Sequence, residues 1–300
     1  MLALLLRRYK KLDRAAAKKM RLSALAGFFL GTYVFFCPLY NEPLYQFLST
    51  HPSKEEIDLL SPVVMGKFSG EHKFFPVLNT KGKQLQLHGV YFKAAVQPPR
   101  GLMIMNPGNA FCVSHMLGCK PALTILEMGY DLFMYDYEGY GESQGTANYR
   151  NFGNDGVSAC RYVRDELKPK KLILYGMSMG SGVSTHVAAR ESVDGLILDS
   201  PFISPEHTVK EWIPLFHLYP SAMFPEPRYD NRAYLSSPHV PTLIIAKGHD
   251  IVCSAAQGKA LRLAATQPTE FVLLPKSEHL YVSVPDEAAY KEALQKFLAK

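Results

Sequence analysis

Short apolar runs alternate with longer amphipathic stretches along most of this chain of 300 residues. The runs predict buried strands, and apolar residues spaced three and four apart predict helices between them. Strands are expected near 74–78, 84–92, 101–105, 130–136, 171–176, 195–199, 241–246 and 269–274, and helices near 113–128, 152–167, 179–190, 254–265 and 284–298. This alternation is typical of a mostly parallel sheet with helices on both faces, so the pattern predicts one domain of the α/β class.

The N-terminal region has a different pattern. Residues 1–21 contain eight basic residues and one acid, and the nineteen residues of 22–40 contain no charge. About 20 apolar residues cross a bilayer as a helix, and basic flanks stay in the cytoplasm. We therefore expect a basic cytoplasmic tail at 1–21, a single-pass transmembrane anchor at 22–40, a connector at 41–70, and a folded domain at 71–300 on the non-cytoplasmic side of the membrane.

Other interpretations of 22–40 remain open at this point. The segment can be a cleaved signal peptide, a lipoprotein signal with lipid on Cys37, or an amphipathic helix packed on the domain. Gly27 and Gly31 form a G-x-x-x-G pair, which would let two such helices approach closely in a homodimer.

Charge and cysteine content exclude several classes of protein. Beyond residue 21 the chain has 25 basic and 26 acidic residues, which leaves no excess of basic charge for nucleic acid. Five cysteines without a C-x-x-C spacing predict neither a zinc knuckle nor a disulfide framework. The ten histidines show no H-E-x-x-H pattern, which argues against a metal enzyme.

The pentapeptide Gly176-Met177-Ser178-Met179-Gly180 directly follows the apolar run 171–175. A strand that leads into G-x-S-x-G predicts a nucleophile elbow, in which the serine oxygen is exposed on a sharp strand-to-helix bend. Glycines on both sides permit the close approach of strand and helix. Ser178 is therefore the candidate nucleophile.

A nucleophilic serine of this kind needs a histidine and an acid, each on a loop after a later strand. Asp250 follows the predicted strand 241–246, and His279 follows the strand 269–274. In this interpretation His279 takes the proton of Ser178 while Asp250 orients and stabilises the imidazolium. The competing residues are Asp199 as the acid and His249 or His186 as the base.

An oxyanion formed at Ser178 would require backbone donors. One is the N–H of Met179, the residue after the nucleophile, and the other comes from the loop after the third strand, where we select Asn109. Gly108 lets that loop pass close to the elbow.

These motifs resemble those of the Bem46-type branch of the α/β-hydrolase superfamily. The similar stretches are Pro107 to Ala110, Tyr135 to Gly145, the elbow, Leu198 to Phe202, and the loops of Asp250 and His279. The resemblance implies an α/β-hydrolase fold with a cap at 203–237 and a serine hydrolase that needs no cofactor. Three departures, Pro107 for histidine, Glu138 for arginine and Phe111 for glycine, are expected to make the mouth less positive and the acyl entrance narrower.

We therefore expect a membrane-anchored serine hydrolase that cleaves carboxylic esters or acyl thioesters. The aromatic piece 212–219 of the cap could line an apolar acyl pocket, which suits a lipid or an acylated protein as substrate. An acyltransferase that uses the same triad, and a binding protein that has lost catalysis, are the alternatives.

Overall fold

The computed structural model describes residues 18–19, 22–38, 68, 70–117 and 119–300. Most of the predicted basic tail, 1–21, lies outside the described residues. So does the predicted connector, 41–70, apart from Phe68 and Gly70. The boundaries proposed for these two segments therefore stay predictions.

One eight-stranded sheet forms the centre of the domain, in the spatial order β1-β2-β4-β3-β5-β6-β7-β8. Strands β3 to β8 run parallel, and β2 pairs antiparallel with both β1 and β4. The mostly parallel sheet predicted from the alternating pattern is confirmed. The strands are β1 Gly70–Leu78, β2 Gln84–Phe92, β3 Leu102–Asn106, β4 Asp131–Tyr135, β5 Leu172–Met177, β6 Gly195–Asp199, β7 Thr242–Lys247 and β8 Thr269–Leu274.

The first two strands form the expected hairpin, and its turn is stabilised by one side chain. Oδ1 of Asn79 accepts hydrogen bonds from the backbone N–H groups of Lys81 at 3.0 Å and Lys83 at 2.9 Å. Gly82 has φ +73°, a conformation that side chains disfavour. The sequence Asn-Thr-Lys-Gly-Lys thus sets the register of β1 against β2.

Helices join the strands at the predicted places. They are α1 Val113–Leu117, α2 Lys120–Glu127, α3 Phe152–Tyr162, α4 Met179–Ala188, α5 Pro205–Trp212, α6 Asn231–Leu235, α7 Ala255–Ala264 and α8 Glu287–Leu298. Short 3₁₀ helices at Pro214–Leu218 and Ser221–Met223 complete the segment between β6 and β7 that we expected to be the cap.

Two predicted helices have a different form in the structure. The single helix expected at 113–128 is divided into α1 and α2, and Pro121 lies in the first turn of α2. Proline has no N–H to continue a preceding helix, but it fits a first turn. The end of the helix expected at 152–167 is a π-helical turn, Val163–Leu167, closed by Lys168 at φ 49°.

Apolar side chains pack on both faces of the sheet in two separate buried clusters. One cluster includes Ile104 and Leu174 with α3, α4 and the cap, and the other includes Met105 and Tyr175 with α2 and α8. Successive strand residues point to opposite faces, so both faces must be covered if a strand is apolar throughout. This explains why β3, β5 and β6 are continuous apolar runs.

Residues 22–36 form a helix of mostly exposed apolar side chains. Leu25 is 54% exposed, Phe28 68% and Phe29 66%. We predicted a membrane-spanning helix at 22–40, and this prediction finds no support in the part of the chain that the structure describes. None of the helices described there combines the length and the hydropathy needed to cross a bilayer.

The end of this helix packs on the cap segment. The rings of Tyr33 and Tyr219 stack with their centroids 4.6 Å apart, and the hydroxyl of Tyr219 donates to the carbonyl of Tyr33 at 2.8 Å. Cys37 is fully buried, and its thiol lies 3.8 Å from Sδ of Met223. The interpretation of this segment as a packed helix therefore describes its last turn.

Candidate active site

Polar side chains collect at the carboxyl edge of the sheet. Ser178 follows β5, Asp250 follows β7 and His279 follows β8. Parallel strands end at the same edge, which is where ligands bind in open α/β sheets. The sheet thus brings together three residues that lie far apart in sequence.

Ser178 lies on a strained bend between β5 and α4. Its φ of 51° and ψ of −116° are outside the regions that side chains favour. The backbone N–H of Ser178 donates to the carbonyl of Asp199 on β6 at 2.9 Å, which holds the bend in place. Strain of this kind persists where the surrounding structure fixes it, and it is common at functional sites.

The two glycines of the pentapeptide are required by close backbone contacts. A Cβ on Gly176 would lie 2.3 Å from the carbonyl oxygen of Gly180, and a Cβ on Gly180 would lie 2.0 Å from that of Asn106. No relaxation of a side chain can relieve contacts with backbone atoms. Helix α4 can therefore cross β5 and β3 at this distance only with glycine at both positions.

The three side chains lie in hydrogen-bonding order. Nε2 of His279 is 2.9 Å from Oγ of Ser178, and Nδ1 of His279 is 2.8 Å and 2.9 Å from the two oxygens of Asp250. A carboxylate only accepts hydrogen bonds, so Nδ1 carries the proton and Nε2 is free to accept the proton of Ser178. The arrangement suits removal of the serine proton by the imidazole.

Asp250 is held in its ionised form although its side chain is fully buried. Burial acts to raise its pKa, but the hydrogen bond and charge of His279 and the backbone N–H groups of Cys253 and Val252 outweigh burial. The pKa of Asp250 is therefore lowered from its usual 3.8. Its negative charge can stabilise an imidazolium at neutral pH.

The backbone of His279 is fixed by two further side chains. Its carbonyl oxygen accepts from Oγ of Ser200 at 2.6 Å and from Nζ of Lys247 at 3.1 Å. Both groups are buried, and Ser200 has φ 51°. They hold the position of the loop that carries the imidazole.

Asp199, the alternative acid, has a different role in the structure. Its carboxylate lies 2.9 Å from Nζ of Lys247, and it accepts a hydrogen bond from the hydroxyl of Tyr175 at 2.5 Å. Tyr175 in turn lies 3.0 Å from the hydroxyl of Tyr290 on α8. Asp199 neutralises a buried lysine under the site, and it is Asp250 that contacts the imidazole.

The loop after β3 lies beside the elbow, as expected for an oxyanion site. A Cβ on Gly108 would be 3.5 Å from Cβ of Ser178. Asn109 and Met179 both line the cavity at Ser178, and Oδ1 of Asn109 accepts from the hydroxyl of Tyr140 at 3.1 Å. Met179 begins α4, where helical N–H groups have no partner within the helix. The two predicted donors are thus close to the nucleophile, and their role as donors stays a prediction.

A cavity of about 240 Å³ opens above Ser178 and His279. Helix α5 of the cap forms one wall, and the loops that carry Asp250 and His279 form another. Besides Met179, the apolar lining residues include Phe202, Pro205, Val209, Trp212, Val252 and Leu280. Sequence analysis suggested an apolar lining from 212–219, and of that piece Trp212 is the residue on this wall.

Other sequence-predicted residues lie elsewhere. Glu138 is buried, accepts from Nδ2 of Asn151 at 2.6 Å and does not line the cavity, so the expected loss of positive charge at the mouth stays a prediction. His249 is exposed, and its ring is absent from the lining of the cavity. His186 packs against Tyr229, and burial followed by the charge of Arg190 lowers its pKa to about 4. Neither histidine contacts Ser178.

Sequence analysis missed Lys247, Ser200 and Cys253. Lys247 and Ser200 fix the backbone of His279, and buried Cys253 lines the cavity. Burial raises the pKa of the Cys253 thiol well above its usual value. A lysine at the end of an apolar strand was a visible signal, since a buried lysine requires a buried acid. All five cysteines are buried, and none of them forms a disulfide.

Comparison with known proteins agrees with this fold. A family profile described as the alpha/beta hydrolase fold matches residues 118–297. The uncharacterized protein YfhR of Salmonella typhimurium is 28% identical over 232 residues, which cover 71% of this chain and 77% of YfhR. The lysophosphatidylserine lipase ABHD12 of Danio rerio is 32% identical over 88 residues, 28% of this chain and 23% of that protein.

Solved structures show the same architecture. An esterase of Pyrococcus furiosus superposes with a TM-score of 0.65 at 16% identity, covering 84% of this chain and 97% of the esterase. At that identity the likeness concerns the fold alone. The match with ABHD12 is compatible with the branch that the sequence motifs resemble.

Proposed function

The chain belongs to the alpha/beta hydrolase fold family, and from that premise we propose that it is a serine hydrolase that cleaves carboxylic esters or acyl thioesters. The observation that carries the proposal is the continuous hydrogen-bonded line from Ser178 through His279 to Asp250. An acyl-enzyme mechanism follows from the chemistry of these three groups.

In the first half of the reaction, Nε2 of His279 takes the proton of Ser178 as Oγ attacks the acyl carbon. The imidazolium is stabilised by Asp250, and the backbone N–H groups of Met179 and Asn109 bind the oxyanion. The protonated His279 then gives its proton to the leaving alcohol or thiol. Water completes the reaction by the same steps, with His279 again as the base, and releases the acid from Ser178.

The cavity favours an acyl group with an apolar chain. Its walls are mostly hydrophobic, and Trp212 stands 49% exposed at one side. Burial of apolar chain in such a site contributes about 0.8 kcal/mol per CH₂ group. We therefore propose lipid esters or acylated proteins as the class of substrate.

We also propose that the helix of residues 22–36 attaches the protein to a membrane with the hydrolase domain on the non-cytoplasmic side. Its exposed leucine and phenylalanine side chains and the adjacent Lys18 and Lys19 support this proposal. Protease added from the non-cytoplasmic side should digest the domain, and protection of the domain would contradict the orientation.

The hydrolase proposal is tested with an alkyl fluorophosphonate and a series of p-nitrophenyl and thioester substrates. Ser178→Ala should abolish labelling and lower kcat by up to about 10⁶-fold, while His279→Ala should lower kcat to a similar extent. Ser221→Ala, in the exposed part of the cap, is the control and should label like the wild type.

Two outcomes would contradict the proposal. Equal labelling of the wild type and Ser178→Ala would exclude this serine as the nucleophile. Absence of labelling and turnover in the wild type would favour the binding protein instead.

The double variant Ser178→Ala/His279→Ala should have a kcat close to that of either single variant, because the two residues act as one unit.

A further inference from the structure

Two histidines meet on one face of the β1–β2 hairpin, at the edge of the sheet. His72 pairs with Val90, and His88 pairs with Phe74, two residues further along β1. Since side chains alternate along a strand, His72 and His88 lie diagonally opposite each other on the same face. The hairpin register therefore places two imidazoles in contact, although they are 16 positions apart in sequence.

Glu142, from the loop after β4, completes the cluster. Nδ1 of His72 lies 2.8 Å from Nε2 of His88, and Oε1 of Glu142 lies 4.0 Å from the same Nε2. One nitrogen or oxygen from each residue falls within 4.8 Å of the others. Two imidazoles and one carboxylate form the ligand set His₂Glu, which is a common one for zinc.

A buried carboxylate orients the central imidazole. His88 is fully buried, and its Nδ1 lies 2.7 Å from Oδ2 of Asp136, which is also buried. The carboxylate can only accept, so Nδ1 of His88 carries the proton and Nε2 presents its lone pair to His72 and Glu142. A ligating histidine that donates its other N–H to a carboxylate is the usual arrangement in metal sites.

We propose that His72, His88 and Glu142 bind one zinc ion, with Asp136 as the positioning residue for His88. Nitrogen ligands favour a borderline cation such as Zn²⁺ over Mg²⁺ or Ca²⁺, which take oxygen ligands. The site lies between the hairpin and the loop after β4, so the ion would join β1, β2 and that loop. It is separate from the triad, and the proposal does not depend on the hydrolase activity.

The ligands need only small movements to bind the ion. Two nitrogens, each about 2.0–2.1 Å from one tetrahedral zinc, are roughly 3.3 Å apart, so the two nitrogens would separate by about half an ångström. The ring of His72 would also turn, so that Nδ1 faces the ion rather than Nε2 of His88. His72 and Glu142 are exposed and can move, whereas His88 is fixed by Asp136. Exposure also lets the proton on Nδ1 of His72 transfer through water to Nε2, which frees Nδ1 for the metal. The fourth position would hold a water molecule.

The test is calorimetric titration of Zn²⁺ into the full chain, prepared without a histidine tag and freed of metal by a chelator. The wild type should bind one Zn²⁺, and His72→Ala and Glu142→Ala should each weaken binding at least about tenfold. His217→Ala, an exposed histidine of the cap, is the matched control and should bind like the wild type. Saturating Zn²⁺ should also raise the Tm of the wild type and not of His72→Ala.

Several results would overturn the proposal. One is the absence of saturable Zn²⁺ binding to the wild type, which would leave a plain hydrogen-bonded chain from His72 to Asp136. Another is retention of wild-type affinity by either His72→Ala or Glu142→Ala. Competition by millimolar Mg²⁺ or Ca²⁺ would contradict the assignment of a nitrogen-rich site. Ester turnover by the same samples should be equal with and without Zn²⁺.

Discussion

At the scale of single residues, Lys247 explains why the imidazole of His279 lies where Ser178 can reach it. The ammonium group is fully buried between the carboxylate of Asp199 and the carbonyl of His279. The contact with Asp199 is an ion pair at 2.9 Å, although its geometry is not that of a hydrogen bond. Lys247 thus connects the buried carboxylate of Asp199 to the backbone of His279, the catalytic base of the proposal.

Removing the ammonium group of Lys247 should lower both kcat and the free energy of unfolding, for two different reasons. Lys247→Met loses the contact with the His279 carbonyl, and a displacement of the base by about 1 Å can lower kcat about 100-fold. It also leaves Asp199 buried without its partner, at a cost of about 3–5 kcal/mol in the free energy of unfolding. Urea unfolding and ester hydrolysis measure the two effects.

The double variant Lys247→Met/Asp199→Asn separates them. Asparagine keeps an acceptor for the hydroxyl of Tyr175 and removes the unpaired charge. We expect most of the stability to return while kcat stays low, because the contact with His279 is still missing. If kcat recovers together with stability, Lys247 has no role in positioning the base.

The catalytic candidates and the supporting residues differ in how far sequence could predict them. Ser178, Asp250 and His279 follow apolar strands in a recognisable order, so their approach could be expected. Lys247 and Ser200 act through the backbone of His279. The apolar strand before Lys247 indicates that this lysine is buried, but its contact with a main-chain atom leaves no motif, since any residue at position 279 has that carbonyl.

At the scale of elements, a buried acid joins α3 to the loop after β4. Asp155 is fully buried, and its Oδ2 accepts from the backbone N–H of Glu138 at 2.9 Å. Burial raises its pKa well above the usual range; the hydrogen bond from Glu138 opposes this change, and the charge of Glu138 adds to it. Within the described part of the chain, Oδ1 of Asp155 has no hydrogen-bond partner.

This carboxyl should make the protein less stable as the pH rises. The unfolded chain loses the proton near pH 4, whereas the folded chain keeps it to a higher pH, so in that window the folded state binds more protons. Asp155→Asn should remove this contribution, a slope of at most about 1.4 kcal/mol per pH unit. Urea unfolding of both proteins from pH 4 to 8 measures the difference.

Asp165→Asn is the control for this experiment, because Asp165 is an exposed acid one helical turn beyond α3. It should keep the slope of the wild type. Equal slopes for Asp155→Asn and the wild type would mean that Asp155 ionises normally in the fold.

The apolar periodicity of the sequence predicted which segments are helices and strands, but it did not predict where a helix is interrupted or changes its form. The apolar spacing of 113–128 continues through the interruption between α1 and α2, and in the sequence only Gly118 and Pro121 indicate the break. The π-helical turn at Val163–Leu167 has no such residue. His72 and His88 show the same limitation, since their contact depends on the hairpin register and not on their spacing.

At the scale of the whole molecule, the exposed apolar helix of residues 22–36 should direct the protein to lipid. Phe28→Ser/Phe29→Ser should reduce sedimentation with liposomes, because two large side chains leave the exposed surface. Phe74→Ser/Leu78→Ser is the control, since these side chains of β1 are also exposed. Equal sedimentation of the two double variants would contradict attachment through this helix.

Charge counting and hydropathy could identify this segment as distinct from the domain, but not its relation to the cap. The stacking of Tyr33 on Tyr219 joins residues 186 positions apart, and no local pattern marks either tyrosine. A contact between residues so far apart in sequence depends on the three-dimensional fold of the whole domain.

If the helix of residues 22–36 lies in the membrane as proposed, the stacking of Tyr33 on Tyr219 fixes the distance of Ser178 from the lipid surface. A protein attached through a flexible linker samples many orientations. Here the helix packs on Tyr219, in the segment that directly follows α5 and therefore a wall of the cavity. Esters presented at one depth and angle would then reach the serine, and the same esters in free solution would gain nothing from the attachment. The depth and orientation of an ester in the membrane, and not only the shape of the cavity, would then decide which substrates react.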